Sequence, residues 1–239
     1  MSFGDGKKVG KRMSKEVIVT KDLGKTYGKG DLQVHALRKT NISIKQGDYI
    51  AIKGPSGSGK STLMNLIGCL DKPTTGKLYI DNTDVYTLSE NNLAKIRREK
   101  IGFIFQKYNL IPTLTALENV SLSMGFAGVD SKTRIRKAKK LLDMVELSHR
   151  ISHKPSELSG GEQQRVAISR ALGNDPTIVL GDEPTGNVDT KSGNKIMDIL
   201  ENINNQGETV IVVTHDPNIA KRARRILSIE DGVVREENV

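Results

Sequence analysis

Asp48-Tyr49-Ile50-Ala51-Ile52-Lys53 runs directly into Gly54-Pro55-Ser56-Gly57-Ser58-Gly59-Lys60-Ser61, and this junction decides the fold. The first six residues read as a short buried strand. The next eight match G-x-x-x-x-G-K-[ST], the pattern of a phosphate-binding loop between a strand and a helix. The helix is expected from Lys60 to about Cys69, with Leu63, Leu66, Ile67 and Leu70 on one face, and Pro73-Thr74-Thr75-Gly76 stops it. Glycines let such a loop turn its backbone N–H groups inward around phosphate oxygens, and the helix N-terminus adds partial positive charge. Lys60 is placed to reach the β- and γ-phosphates of a nucleotide. The Ser61 hydroxyl, with Thr62 beside it, is placed to ligate Mg²⁺.

Further along, the apolar run Pro176–Leu180 reads as a strand covered on both faces. It ends in Asp182-Glu183. Asp182 at the strand end can hold the Mg²⁺ shell, and Glu183 can polarise a water for in-line attack. Thr209–Val213 reads as another buried strand, Lys191–Ile203 as a helix, and Arg225–Glu230 with Val233–Glu236 as a hairpin turning at Asp231-Gly232. Residues 16–46 alternate in a strand-like way, and Lys77–Ile80 is a strand. Residues 85–175 carry helical periodicity, broken only by a strand at Ile101–Phe105, and read as a helical insert. Strand–helix alternation with buried β-branched runs implies an α/β core with a parallel sheet.

The chain has 239 residues; 37 Lys and Arg against 28 Asp and Glu give +9. At 27% charged and 36% hydrophobic residues, global disorder is excluded. No apolar run approaches the roughly 18–20 residues that span a bilayer. The single cysteine, Cys69, excludes an intrachain disulfide. The excess charge is localised. Lys7, Lys8, Lys11, Arg12 and Lys15 against Asp5 give +4 in residues 1–15. Lys132, Arg134, Arg136, Lys137, Lys139 and Lys140 against Asp130 give +5 in residues 130–140, and the remainder balances at zero. The first segment reads as a frayed tail or as a contact for anionic headgroups or nucleic acid. The second opens a helix expected over Ser131–Val145, its cations on a solvated face or against a specific anionic partner.

Leu158-Ser159-Gly160-Gly161-Glu162-Gln163-Gln164-Arg165 ends 17 residues before Asp182 (182 − 165 = 17), ahead of a helix-like Val166–Leu172. With the two nucleotide motifs, it resembles the signature motif of the ABC ATPases, and the resemblance covers residues 16–235. It implies an α/β fold: a P-loop NTPase core with a mainly parallel sheet, an antiparallel β subdomain and a helical insert. It also implies a single domain over 16–239, with the helical subdomain at about 90–170 and residues 1–15 as a flexible basic tail.

Tyr27 resembles the aromatic that stacks on adenine, Gln106 the glutamine that links the γ-phosphate site to the helical subdomain, and His215 the switch histidine. Asn187-Val188-Asp189 occupies the place of the loop that crosses to a partner subunit. By this resemblance the catalytic residues are Glu183, His215, Lys60 and Gln106. ATP is held by Tyr27, the residues from Gly54 to Thr62, Gln106, Ser159, Gly160, Gly161, Glu162, Asp182 and His215, and Mg²⁺ by Ser61, Gln106 and Asp182. Two copies are expected to pack head to tail when ATP is bound, so that Ser159 and Gly161 of one face the phosphates held by Lys60 of the other. Two departures stand out: Gly181 precedes Asp182 where a larger residue is usual, and the crossing loop reads Asn-Val-Asp rather than Ala-Leu-Asp.

The segments Ile67–Lys77, Ile96–Pro112 and Asp182–Asp189 resemble the lipoprotein-release and macrolide-export branch, whose ATPases drive permeases anchored in the membrane. The leading expectation is an ATPase subunit for export or mechanotransmission, at the cytoplasmic face of the membrane through integral permease subunits. An importer ATPase for amino acids or similar solutes is the second reading, and a soluble ABC ATPase acting on nucleic acid the third. No nucleic-acid partner is expected, because such members carry coiled coils or two ATPase halves. Nor is a regulatory domain expected, of the kind many sugar and methionine importers append.

Overall fold

The computed structural model describes residues 15–237. The tail expected over 1–15 therefore lies outside the described residues, Lys15 apart. In chain order the elements are β1 (Glu16–Tyr27), β2 (Val34–Thr40), β3 (Ser43–Lys45), β4 (Tyr49–Lys53), α1 (Lys60–Ile67), β5 (Thr75–Ile80), β6 (Thr83–Asp84), α2 (Glu90–Lys100) and β7 (Ile101–Ile104). There follow α3 (Ala116–Phe126), α4 (Ser131–Met144), α5 (Gly160–Ala171), β8 (Ile178–Asp182), α6 (Thr190–Asn205), β9 (Thr209–Thr214), α7 (Pro217–Ala220), β10 (Arg225–Glu230) and β11 (Val233–Glu237).

The main sheet has the order β11-β10-β4-β9-β8-β7 and is parallel from β10 to β7, with β11 closing the edge as the antiparallel arm of a hairpin. Its central strands β4, β8 and β9 are buried at nearly every position because both faces are covered. Alternation then sorts the side chains into two cores. Tyr49, Ala51, Val179, Val210 and Val212 join the core beneath α3, α4, α5 and α6. Ile50, Ile52, Leu180, Ile211 and Val213 join the core shared with α1 and the second sheet. That second sheet is antiparallel, with β2-β1-β5-β6 in order and β3 also paired to β1.

The expected α/β architecture is present, with three local differences. The strand-like stretch 16–46 is three strands. The strand expected at Ile101–Phe105 within the span 85–175 is β7, and it belongs to the main sheet by pairing with β8. Leu93 of α2 packs into the core with α1, whereas α3, α4 and α5 pack into the other. The signature helix starts at Gly160 rather than Val166, because Ser159 and Glu162 form a reciprocal capping box at its N-terminus. Among the described residues no helix is long and apolar enough to cross a membrane.

Candidate functional site

The loop between β4 and α1 forms a cradle. Gly59 has φ +111°, and a Cβ there would lie 2.2 Å from the Ala36 carbonyl oxygen, so only glycine permits this approach. Gly59 offers no side chain to cap α1, and the first helical bond runs from the Leu63 N–H to the Gly59 carbonyl at 2.9 Å. The preceding turn of N–H groups is therefore directed at the cradle. Ala36, Gly57, Gly59, Lys60, Ser61 and Thr62 line a cavity of about 150 Å³. Lys60 Nζ donates to the carbonyls of Gly54 and Pro55, each at 2.8 Å, so its ammonium folds over the loop. The Ser58 hydroxyl is buried without a partner. An uncapped helix end, a lysine across the mouth and an orphan hydroxyl fit a polyphosphate.

The carboxylates stand at the end of β8. Asp182 is half-buried; burial raises its pKa, the neighbouring Glu183 raises it further, and Lys60 opposes both. The Glu183 N–H donates to the Val213 carbonyl at 2.9 Å, and the residue adopts φ +46°. This left-handed turn brings its Oε1 to the backbone N–H of His215 at 3.1 Å and to His215 Nδ1 at 2.6 Å. The histidine side chain is 71% exposed and the glutamate 17%, so an open ring abuts a sheltered carboxylate.

Gln106 and the crossing loop meet. Asn187 Nδ2 donates to the Gln106 carbonyl at 2.8 Å, and the Tyr108 hydroxyl donates to the Asn187 carbonyl at 2.9 Å. Gln106 Nε2 lies 2.8 Å from the point a Cβ on Gly186 would occupy. The departure to asparagine at 187 thus supplies a side-chain bond that alanine lacks. Gly181 fits without strain: a Cβ there would meet Pro184 at an ordinary 3.5 Å.

At the signature segment, the Ser159 N–H and hydroxyl donate to Glu162 Oε2 at 2.8 and 2.9 Å, and Arg150 Nε donates to Glu162 Oε1 at 3.2 Å. Among the described residues, no hydrogen bond joins residues 159–162 to residues 54–62, and the helices that follow them, α5 and α1, pack into different cores. Tyr27 is exposed, with its hydroxyl donating to Asp71 Oδ2 at 2.7 Å and Lys25 Nζ 4.8 Å from its ring centroid. Burial and the bond to Asp71 raise its pKa, and Thr62 lowers it.

Sequence reasoning missed several supporting residues. Lys25 and Asp71 brace Tyr27 across 46 residues of chain. Gln164, fully buried on α5, donates to the Pro184 carbonyl at 2.8 Å and ties the signature helix to the turn after Glu183. A polar residue inside the apolar face of α5 was the available signal for Gln164; Lys25 and Asp71 carry none.

Ser61, Gln106 and Asp182 offer hydroxyl, amide and carboxylate oxygens, a donor set that suits Mg²⁺. Among the described residues no three of His, Cys, Asp or Glu cluster as a metal site.

The chain is similar to known proteins over most of its length. Residues 37–186 match the family model for the ABC transporter. The uncharacterized ABC transporter ATP-binding protein MJ0796 of Methanocaldococcus jannaschii is 52% identical over 226 residues, covering 92% of this chain and 96% of that protein. The macrolide export ATP-binding/permease protein MacB of Brucella melitensis is 49% identical over 218 residues, covering 91% of this chain and 34% of that protein; this chain spans about a third of it. A dimeric structure of the MJ0796 cassette in a post-hydrolysis state, bound to ADP and Pi, superposes with a TM-score of 0.85 at 51% identity, covering 92% of this chain and 98% of that one. The chain belongs to the ABC transporter family, as an ATP-binding subunit that hydrolyses ATP.

Proposed function

We propose that two copies of this chain close head to tail around ATP, each completing the other's site, and so drive a membrane permease of the export or mechanotransmission type. The observation that carries this reading is the separation of the two halves of the site within one chain. The phosphate cradle of Gly54–Thr62 and the α5 N-terminus at Ser159 are built on different cores and share no hydrogen bond among the described residues. A second copy brings the α5 N-terminus to the γ-phosphate, where its backbone donors and helix dipole complement the charge. Lys60 leaves the Gly54 and Pro55 carbonyls for the β- and γ-phosphates, and Tyr27 offers its ring to adenine. Ser61, Gln106 and Asp182 would hold Mg²⁺, which would supply charge neutralisation to the phosphates. Glu183, oriented by His215, takes a proton from the attacking water as the oxygen–phosphorus bond forms and the bond to the bridging oxygen of ADP breaks.

The permease seat is the groove between α2, β7 and α3. It encloses about 500 Å³, lined by Leu70, Phe103, Phe105 and Phe126 together with Arg97, Arg98 and Arg170. A trough with aromatic and cationic lining suits an amphipathic helix of a membrane subunit. The Gln106 segment begins beside it, which links the seat to the reaction. The likeness to MacB, named as an ATP-binding/permease protein, supports export over import and a seat at the cytoplasmic face of the membrane.

The test is Glu183→Gln with saturating MgATP. Light scattering is expected to show a stable dimer with hydrolysis nearly abolished. Near-normal hydrolysis would remove Glu183 from the role of base, and a persistent monomer would remove the ATP-closed dimer.

A further inference from the structure

The turn after β7 has an uncommon backbone. Tyr108 adopts φ +56° and Asn109 φ +51°, both in the left-handed region. Asparagine visits that region readily, but a bulky aromatic stays there only where its surroundings enforce it. The enforcement comes from α5. Arg170 Nη2 donates to the Tyr108 carbonyl at 2.8 Å, and Arg170 Nη1 donates to the Asn109 carbonyl. The Tyr108 N–H closes the turn onto the Phe105 carbonyl at 3.2 Å.

The conformation so held aims one atom. The Tyr108 side chain is half-buried, and its hydroxyl donates to the Asn187 carbonyl of the crossing loop at 2.9 Å. The point a Cβ on Gly160 would occupy lies 2.8 Å from that hydroxyl and 3.3 Å from the Asn187 carbonyl oxygen. A side chain at 160 would displace the bond, so the glycine that opens α5 leaves room for it. Asn187 Nδ2 returns a bond to the Gln106 carbonyl at 2.8 Å. Two bonds running in opposite directions thus join the Gln106 turn to the crossing loop, against the first residue of α5. Burial raises the Tyr108 pKa, which keeps the hydroxyl protonated as a donor.

We propose that Tyr108 is a positioning residue for ATP hydrolysis: its hydroxyl sets the crossing loop at Asn187 and the α5 N-terminus at Gly160 in register with Gln106. This rests on the reading that these three segments act on ATP shared between two copies. Tyr108 works through the Asn187 carbonyl and needs no contact with nucleotide. A small displacement of a positioned group is costly to rate, so loss of one hydroxyl at this junction is felt in turnover.

The experiment compares Tyr108→Phe, which keeps the ring and removes the hydroxyl, with the parent chain. At saturating MgATP, kcat is expected to fall at least about fivefold while KM for ATP holds. A role in packing alone would leave kcat unaltered, and that result would overturn the proposal, as would a rise in KM with kcat intact. Asn187→Ala removes the returning bond. The double variant Tyr108→Phe/Asn187→Ala is expected to depart from the product of the two single losses by at least about twofold, because both bonds hold one junction. Losses that simply multiply would overturn the proposal. Light scattering of Glu183→Gln with MgATP separates this inference from the reading beneath it. A dimer there, with kcat unchanged in Tyr108→Phe, removes the role of Tyr108 alone; a persistent monomer removes the shared site itself.

Discussion

His215 Nδ1 lies 2.6 Å from Glu183 Oε1, and the His215 backbone N–H donates to the same oxygen at 3.1 Å. The end of β9 therefore holds the carboxylate at the end of β8 by two bonds from one residue. His215→Ala removes the ring and leaves the backbone donor. Hydrolysis is expected to fall about a hundredfold while nucleotide binding persists. Steady-state kinetics with calorimetry separate the two, and unchanged turnover would detach His215 from the reaction.

The cradle distinguishes two glycines. Gly59→Ala forces a Cβ against the Ala36 carbonyl, whereas a Cβ on Gly57, at φ +77°, meets nothing within 4 Å. Gly57→Ala is expected to cost about 1 kcal/mol of stability from its left-handed backbone and to spare nucleotide binding. Gly59→Ala is expected to cost more and to weaken nucleotide affinity by at least about tenfold. Denaturant unfolding and calorimetry on both variants check the contrast.

Ser159 has two duties that substitution can part. Ser159→Ala removes the hydroxyl cap of α5 and is expected to destabilise the chain by about 1 kcal/mol. Ser159→Arg places a bulky side chain where a second copy approaches in the proposed dimer. Hydrolysis is expected to drop while the monomer still binds nucleotide, and persistent activity would contradict the shared site.

Glu162 sets a pH dependence. Burial alone would raise its pKa, but the Ser159 N–H and hydroxyl and the Arg150 guanidinium hold it below the ordinary 4.5. A depressed carboxylate stabilises fully above the ordinary value and loses that contribution as pH falls through the depressed one. Protection of the first turn of α5 against hydrogen exchange is expected to decline below about pH 4.5. Glu162→Gln is expected to remove that dependence.

Much of this was legible in the sequence because short-range chemistry fixes it. The loop of Gly54–Ser61, the strand ending in Asp182-Glu183 and the segment Leu158–Arg165 each carry their geometry within a few residues. The start of α5 was misread by six residues, because the glycines at 160 and 161 mask a helix that the Ser159–Glu162 box secures. The main-sheet membership of β7 was hidden by the helices on both sides of it, since pairing with β8 joins residues more than seventy apart. The bracing of Tyr27 by Lys25 and Asp71, and the bond from Asn187 to Gln106, are long-range contacts with no local pattern.

The central claim is that each working site is built from two chains. Lys60→Ala disables a phosphate cradle and Ser159→Arg a signature end, so neither variant alone can form an intact site. Mixed in equal amounts, they form hetero-pairs in which the intact cradle of one meets the intact α5 of the other. The measurement is ATP hydrolysis by that mixture. Activity well above the sum of the separate variants is the result expected; activity no greater than that sum would contradict the account.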